Sequence, residues 1–172
     1  ILLYYSKILK DSSYKNNILK NGNTEDPVTI ADLKVNELII QRINERYKDI
    51  DWEILSEENA KLESEDFSTR SQWRWILDPL DGTKDFIQGT GNYAMHLSLN
   101  FKQKPLIGIV LIPDIDQLWI ADGEKVWCEK RDGSKINFNH SKNKSLQEMV
   151  LVTSKNHRNQ TLRNLINKIS FR

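Results

Sequence analysis

Large apolar residues alternate at Trp73, Trp75 and Leu77, with Ile76 beside them, and the run then meets Asp78-Pro79-Leu80-Asp81-Gly82. A period of two reads as a buried strand that delivers Asp78 to its end. Pro79 fixes its own φ and has no N–H for a ladder, so the strand is expected to stop there. Asp78 and Asp81 then fall in one tight turn with the Leu80 carbonyl between them. Such a turn aims three oxygens at one point. Hard cations such as magnesium take oxygen ligands, usually one or two carboxylates with waters and substrate phosphate oxygens. Gly82 would let a phosphate approach the backbone, and the N–H groups of Gly82 and Thr83 would face it if a helix begins there. Asp-Pro-x-Asp-Gly is also a good surface turn. The remaining segments have to decide between the two.

The chain has 172 residues and 38% hydrophobic content, enough for one domain with a core or slightly more. Lys and Arg number 25 against 24 Asp and Glu, a net charge of +1, so no overall field recruits a nucleic acid polymer or a membrane. An anionic ligand must be caught by a local site. One cysteine, Cys128, excludes an internal disulfide, and neither a transmembrane-length apolar run nor a signal-peptide pattern is present. A reducing cytoplasm is the expected setting. The chain opens at Ile1 in what already reads as an amphipathic helix, which points to a fragment of a longer protein.

From Ile1 to about Leu9, Leu2, Tyr5 and Leu9 stand at helical spacing, and the polar run Asp11 to Asp26 reads as a loop. Thr29 is a candidate N-cap, with Asp32 three residues on, for a helix reaching about Tyr47. Val35, Ile39, Ile43 and Tyr47 form its apolar face, joined by Leu38. Taken alone, Asp32 most simply completes a capping box. Trp52 to Leu55 reads as a strand ending in Ser56-Glu57-Glu58. If it lies beside the Trp73 strand, Glu57, Asp78 and Asp81 converge, and three mutually repelling carboxylates are hard to explain without cations. A solvated acidic loop is the plainer account of Glu57 alone.

Met95, Leu97, Leu99 and Phe101 alternate with His96, Ser98 and Asn100 as a half-buried strand. Leu106 to Ile112 follows through a hairpin at Lys102 to Pro105, then Leu118 to Ala121 and Val126 to Glu129, an antiparallel meander. His96, opposite the apolar set, reads as structural rather than as a ligand. Lys130 to Lys144 is polar. Met149 to Thr153 reads as a strand and Gln160 to Ile169 as a helix. They would open a second domain, so that residues 1–148 form an N-terminal α+β metal- and phosphate-binding domain and residues 149–172 the start of another.

Taken together, Asp26-Pro27-Val28-Thr29-Ile30-Ala31-Asp32, Ile54-Leu55-Ser56-Glu57-Glu58 and Trp75-Ile76-Leu77-Asp78-Pro79-Leu80-Asp81-Gly82-Thr83-Lys84-Asp85-Phe86 resemble the inositol monophosphatase superfamily. Within it the chain looks most like the CysQ-type 3′(2′),5′-bisphosphate nucleotidases, through Gly82-Thr83-Lys84-Asp85-Phe86 and Leu55-Ser56-Glu57-Glu58. The resemblance implies a layered αβαβα sugar-phosphatase-like fold, of which this chain carries mainly the first α+β half with an antiparallel sheet. It implies two or three Mg²⁺ held by Glu57, Asp78, the Leu80 carbonyl and Asp81, with Asp78 bridging. It gives Thr83, paired with Asp32, the orientation of the attacking water, and gives the Gly82 and Thr83 N–H groups the scissile phosphate. Ser154 and His157 resemble a segment that contacts the nucleotide.

The implied activity is hydrolysis of the 3′-phosphate of adenosine 3′,5′-bisphosphate to AMP and phosphate, lithium-sensitive and placed in sulfur metabolism. An inositol monophosphatase-type activity on sugar or polyol phosphates and an inactive metal-binding fragment are the alternatives. The expected partner is a small phosphorylated substrate, with a homodimer left open. The family carries a further metal-binding aspartate in a Trp-Asp segment beyond the point where this chain stops, so the chain alone is expected to be inactive. The family's lysine before Pro-Val-Thr has Lys20 as its nearest candidate here.

Overall fold

Strand alternation is satisfied by one seven-stranded sheet among the described residues, arranged in chain order. Its strands are β1 (Trp52–Ser56), β2 (Trp73–Asp81), β3 (Ala94–Phe101), β4 (Lys104–Ile112), β5 (Gln117–Ala121), β6 (Val126–Glu129) and β7 (Lys135–Phe138). β1 and β2 run parallel, and every later neighbour pair is antiparallel. The structure is a computed structural model and describes residues 1–9, 29–60, 71–138, 145, 148, 150, 152 and 159–168. Ile1–Phe138 and Asn139–Arg172 form separate compact units.

In the first unit, helices α1 (Leu2–Leu9) and α2 (Ile30–Arg46) supply the apolar cover for the sheet. Leu2, Leu9, Ala31 and Val35 join Leu77, Leu80, Phe86, Tyr93 and Met95 in one buried cluster, with Ile39, Leu97 and Leu111 packed against it. Of the apolar face expected for α2, Val35 and Ile39 pack into that cluster over β2, Ile43 is buried outside it, and Leu38 is exposed. Tyr47 caps the end of α2 and stays half-exposed. It begins a ladder of edge-to-face rings, with Tyr47 to Trp52 at 5.0 Å and Trp52 to Trp75 at 5.6 Å.

The hairpin between β3 and β4 turns on Lys102 and Gln103, whose φ values of 47° and 66° give the left-handed two-residue geometry that matches strand twist. β7 falls inside the stretch expected to be an irregular polar segment. Ile136 and Phe138 do alternate there, and Phe138 packs against Trp119 with ring centroids 4.6 Å apart. All four residues are exposed, so composition concealed the strand.

A second departure bears on the site. The strand expected to stop at Pro79 continues to Asp81: Asp78 pairs with His96, the register slips, and pairing resumes at Asp81 with Ala94. Pro79 lacks the N–H for a ladder but tolerates extended φ, so it sits in an irregularity within the strand rather than ending it. In the second unit, α5 (Gln160–Lys168) matches the expected helix, with the Asn159 Oδ1 accepting from the Leu162 N–H at 2.9 Å. The expected loop from Asp11 to Asp26 lies outside the described residues. So do Ser154, His157 and most of the strand expected over Met149 to Thr153.

Candidate active site

Three elements bring the acidic motifs together. The parallel register ends with Ser56 beside Leu77, so Glu57, which leaves β1, and Asp78, which continues in β2, follow side by side. Glu57 opens a single turn, α3 (Glu57–Ala60). Ser56 is 1% exposed and its Oγ accepts the Asn59 N–H at 3.1 Å, which fixes that turn. Asp78 Oδ1 accepts the Leu80 N–H at 3.1 Å, a local bond across Pro79 that holds the carboxylate at the strand irregularity.

Electrostatics records how close these groups are. Burial first, then the charges of Glu57 and Asp81, push the Asp78 carboxyl up to about 6, against the Leu80 N–H and His96, which lower it. His96 thus stands across from Asp78 on β3, close enough to act on its charge. Nothing in the alternation of β3 had marked it as a neighbour of the site. Pairing register was the missing information.

Asp32 does two things with two oxygens. Its Oδ2 accepts the Thr29 N–H at 2.8 Å and the Thr29 hydroxyl, completing the capping box of α2. Its Oδ1 accepts from the Thr83 Oγ1 at 3.4 Å. Burial raises the Asp32 carboxyl above the ordinary aspartate range, with Thr29, its own backbone and Thr83 opposing the shift. The Thr83 hydroxyl has a second acceptor, the Leu80 carbonyl at 3.0 Å. One hydrogen therefore serves two acceptors, one a candidate metal ligand and the other a carboxylate.

Gly82 precedes the short helix α4 (Thr83–Gln88) with φ 82°, and a Cβ there would stand 2.7 Å from the Asn92 carbonyl oxygen. Only glycine fits that turn. The N–H groups of the first turn of a helix lack intrahelical acceptors and suit an anion. The rest of the Gly-Thr-Lys-Asp-Phe ending serves packing. Phe86 is fully buried against Tyr93, with ring centroids 4.9 Å apart. The Asp85 Oδ1 accepts from the Thr90 hydroxyl at 2.7 Å and its carbonyl accepts the Thr90 N–H at 3.1 Å, securing the loop after α4. Lys84 alone of the three is exposed.

The donor chemistry fits a hard divalent cation: three carboxylates and a backbone carbonyl, one carboxylate held above its ordinary range by burial and then by the other two. Among the described residues, no three His, Cys, Asp or Glu side chains stand close enough together to hold an ion by themselves. Glu57 and Asp81 are both exposed to solvent.

A seven-stranded mixed sheet covered by a capped helix, with carboxylates at the ends of its one parallel pair, is the architecture of a known α+β class of phosphatases. The inositol monophosphatase-II of Staphylococcus aureus MSSA476 superposes over 98% of this chain and 58% of its own, with TM-score 0.67 and 23% identity. An IMPase/NADP phosphatase complexed with Mg²⁺ and phosphate superposes over 73% of this chain and 47% of its own, with TM-score 0.54 and 22% identity. Within that class the chain belongs to the inositol monophosphatase family, which it matches over residues 3–172. It is 32% identical over 165 residues to the 3′(2′),5′-bisphosphate nucleotidase CysQ of Buchnera aphidicola subsp. Acyrthosiphon pisum (strain APS), covering 95% of this chain and 58% of that protein. The chain spans about half the length of the curated relatives it matches.

Proposed function

We propose that this chain carries the metal- and phosphate-binding part of a magnesium-dependent phosphomonoesterase that hydrolyses the 3′-phosphate of adenosine 3′,5′-bisphosphate to AMP and phosphate. The observation that carries the reading is the Thr83 hydroxyl shared between Asp32 at 3.4 Å and the Leu80 carbonyl at 3.0 Å, beside the Asp78 carboxylate. Glu57, Asp78, the Leu80 carbonyl and Asp81 would hold the Mg²⁺, which supplies an activated water and neutralises phosphate oxygens. Ionised Asp32 draws the Thr83 hydrogen toward itself, leaving the Oγ1 lone pairs to accept from a nucleophilic water. Burial of Asp32 and its two contacts from Thr29 hold Oδ1 in the direction of Thr83. Gly82 and Thr83 N–H groups would receive the phosphate. No covalent intermediate is needed.

The nucleotide preference draws on the CysQ relatives. A second reading, an inositol monophosphatase-type enzyme, is favoured by the packing roles of Asp85 and Phe86, which leave less of that motif free to read a nucleotide. Phosphate release with Mg²⁺ separates the two, with adenosine 3′,5′-bisphosphate, inositol 1-phosphate and fructose 1,6-bisphosphate each offered to the 172-residue chain and to a form extended to the relatives' length. The bisphosphate nucleotide is expected to be preferred, and turnover is expected to stop when chelator removes the metal. Preference for inositol 1-phosphate would replace the first reading with the second.

A further inference from the structure

Asn36 lies one helical turn beyond Asp32 on α2, so both side chains leave the same face. Its Nδ2 donates to the Asn59 Oδ1 at 3.4 Å, and Asn59 belongs to the turn that begins with Glu57. The backbone of Asn59 is tied in its turn to Ser56 Oγ at 3.1 Å. A continuous path therefore runs from Asp32 along one turn of helix to Asn36, across to Asn59, and back along α3 to Glu57. The two ends of that path are the carboxylate that acts on Thr83 and a carboxylate proposed to hold the metal.

The other end of the amide is unusual. Asn36 Oδ1 is buried and has no hydrogen-bond partner among the described residues. A buried acceptor left unpaired costs on the order of 1–3 kcal/mol. An apolar residue of similar size would avoid that cost at this helix position, so packing alone does not account for an amide here.

We propose that Asn36 is a positioning residue for the site. It holds the Glu57 turn at a set distance from Asp32, and its unpaired Oδ1 is the acceptor for a water or hydroxyl donor that the loaded site brings. This inference rests on the metal-dependent reading of the site. It concerns the tie between two helices rather than the ligands themselves. Partners that orient a metal ligand typically cost about ten-fold or more in metal affinity when removed.

The test compares Asn36→Leu with the wild-type chain by calorimetric titration of Mg²⁺ and by thermal unfolding without metal. The expected result is Mg²⁺ affinity weaker by about ten-fold, with a nearly unchanged Tm in the metal-free protein, because the substitution removes one unpaired acceptor, Asn36 Oδ1, while taking the donor from Asn59 Oδ1. Asn36→Gln, which keeps the amide, should recover part of the affinity. In the phosphatase assay on the form extended to the relatives' length, kcat should fall while KM for the phosphate substrate holds. A purely structural role would instead lower the Tm and the affinity together, and that pattern overturns the proposal. Asn59→Ala removes the tie from the other side and decides the matter if Asn36→Leu does not fold, since unchanged Mg²⁺ affinity in it also overturns the proposal. Wild-type chain that binds Mg²⁺ alongside an Asn36→Leu chain that binds it equally well defeats this inference alone. Wild-type chain that binds no Mg²⁺ defeats the reading of the site beneath it.

Discussion

Thr83 concentrates the chemistry of the site in one hydroxyl with two acceptors, Asp32 at 3.4 Å and the Leu80 carbonyl at 3.0 Å. If it orients a water, Thr83→Ala should lower kcat by about 10²-fold, in the range of a lost proton-handling group, with a far smaller change in KM. Thr83→Ser keeps the hydroxyl and should keep most of the rate. Steady-state kinetics on both variants checks this, and a KM effect larger than the kcat effect would return the hydroxyl to a structural role. Asp32 shows how a sequence reading can leave two alternatives open when both apply. The spacing from Thr29 identified the capping box, which the Oδ2 makes. The Oδ1 contact to Thr83 spans 51 residues, and no local pattern could reveal it.

Among the elements, β2 was the most legible, because Trp75 and Leu77 are buried on one face with Ile76 exposed between them. β7 was not legible, since four exposed residues carry no burial pattern. The adjacency of β1 and β2 stood only as a condition in the sequence, and the parallel register now places Glu57 beside Asp78. The missing N–H of Pro79 predicts a strand end, but its fixed φ is compatible with extended backbone, so β2 carries it as an irregularity. α4 gives an element-level test. Phe86 anchors this short helix with 0% exposure, so Phe86→Ala should cost about 3–5 kcal/mol of stability through the cavity it leaves. Phe86→Leu should cost far less and leave the ratio of activities on nucleotide and inositol phosphates unchanged. Thermal unfolding and a two-substrate assay measure both, and a changed ratio in the leucine variant would make Phe86 a reader of substrate.

For the molecule as a whole, the carboxylates at the end of the parallel pair make stability depend on pH and on metal in opposite ways. Burial, with Glu57 and Asp81, raises the Asp78 carboxyl to about 6 from an ordinary value of 3.8. A raised carboxyl binds its proton more tightly in the folded chain, so its stabilising contribution is complete below the unfolded value. That contribution is lost as pH climbs from about 4 to about 6, the unfolded chain ionising first. Above that range the folded protein carries a carboxylate it disfavours. Asp78→Asn cannot ionise, so without metal it should match the wild-type protein near pH 4 and exceed it above pH 6. Because Asp78 is partly open to water, solvent screening trims the difference to roughly 1 kcal/mol, or about 3 °C in Tm. Mg²⁺ binds the folded state and needs the ionised ligand, so at pH 8 it should raise the wild-type Tm and reverse that order. The asparagine variant should gain little. Thermal scans of both proteins from pH 4 to pH 8, with and without Mg²⁺, measure the crossing. A difference that stays flat with pH, or an equal Mg²⁺ gain in the two proteins, would remove Asp78 from the centre of the site.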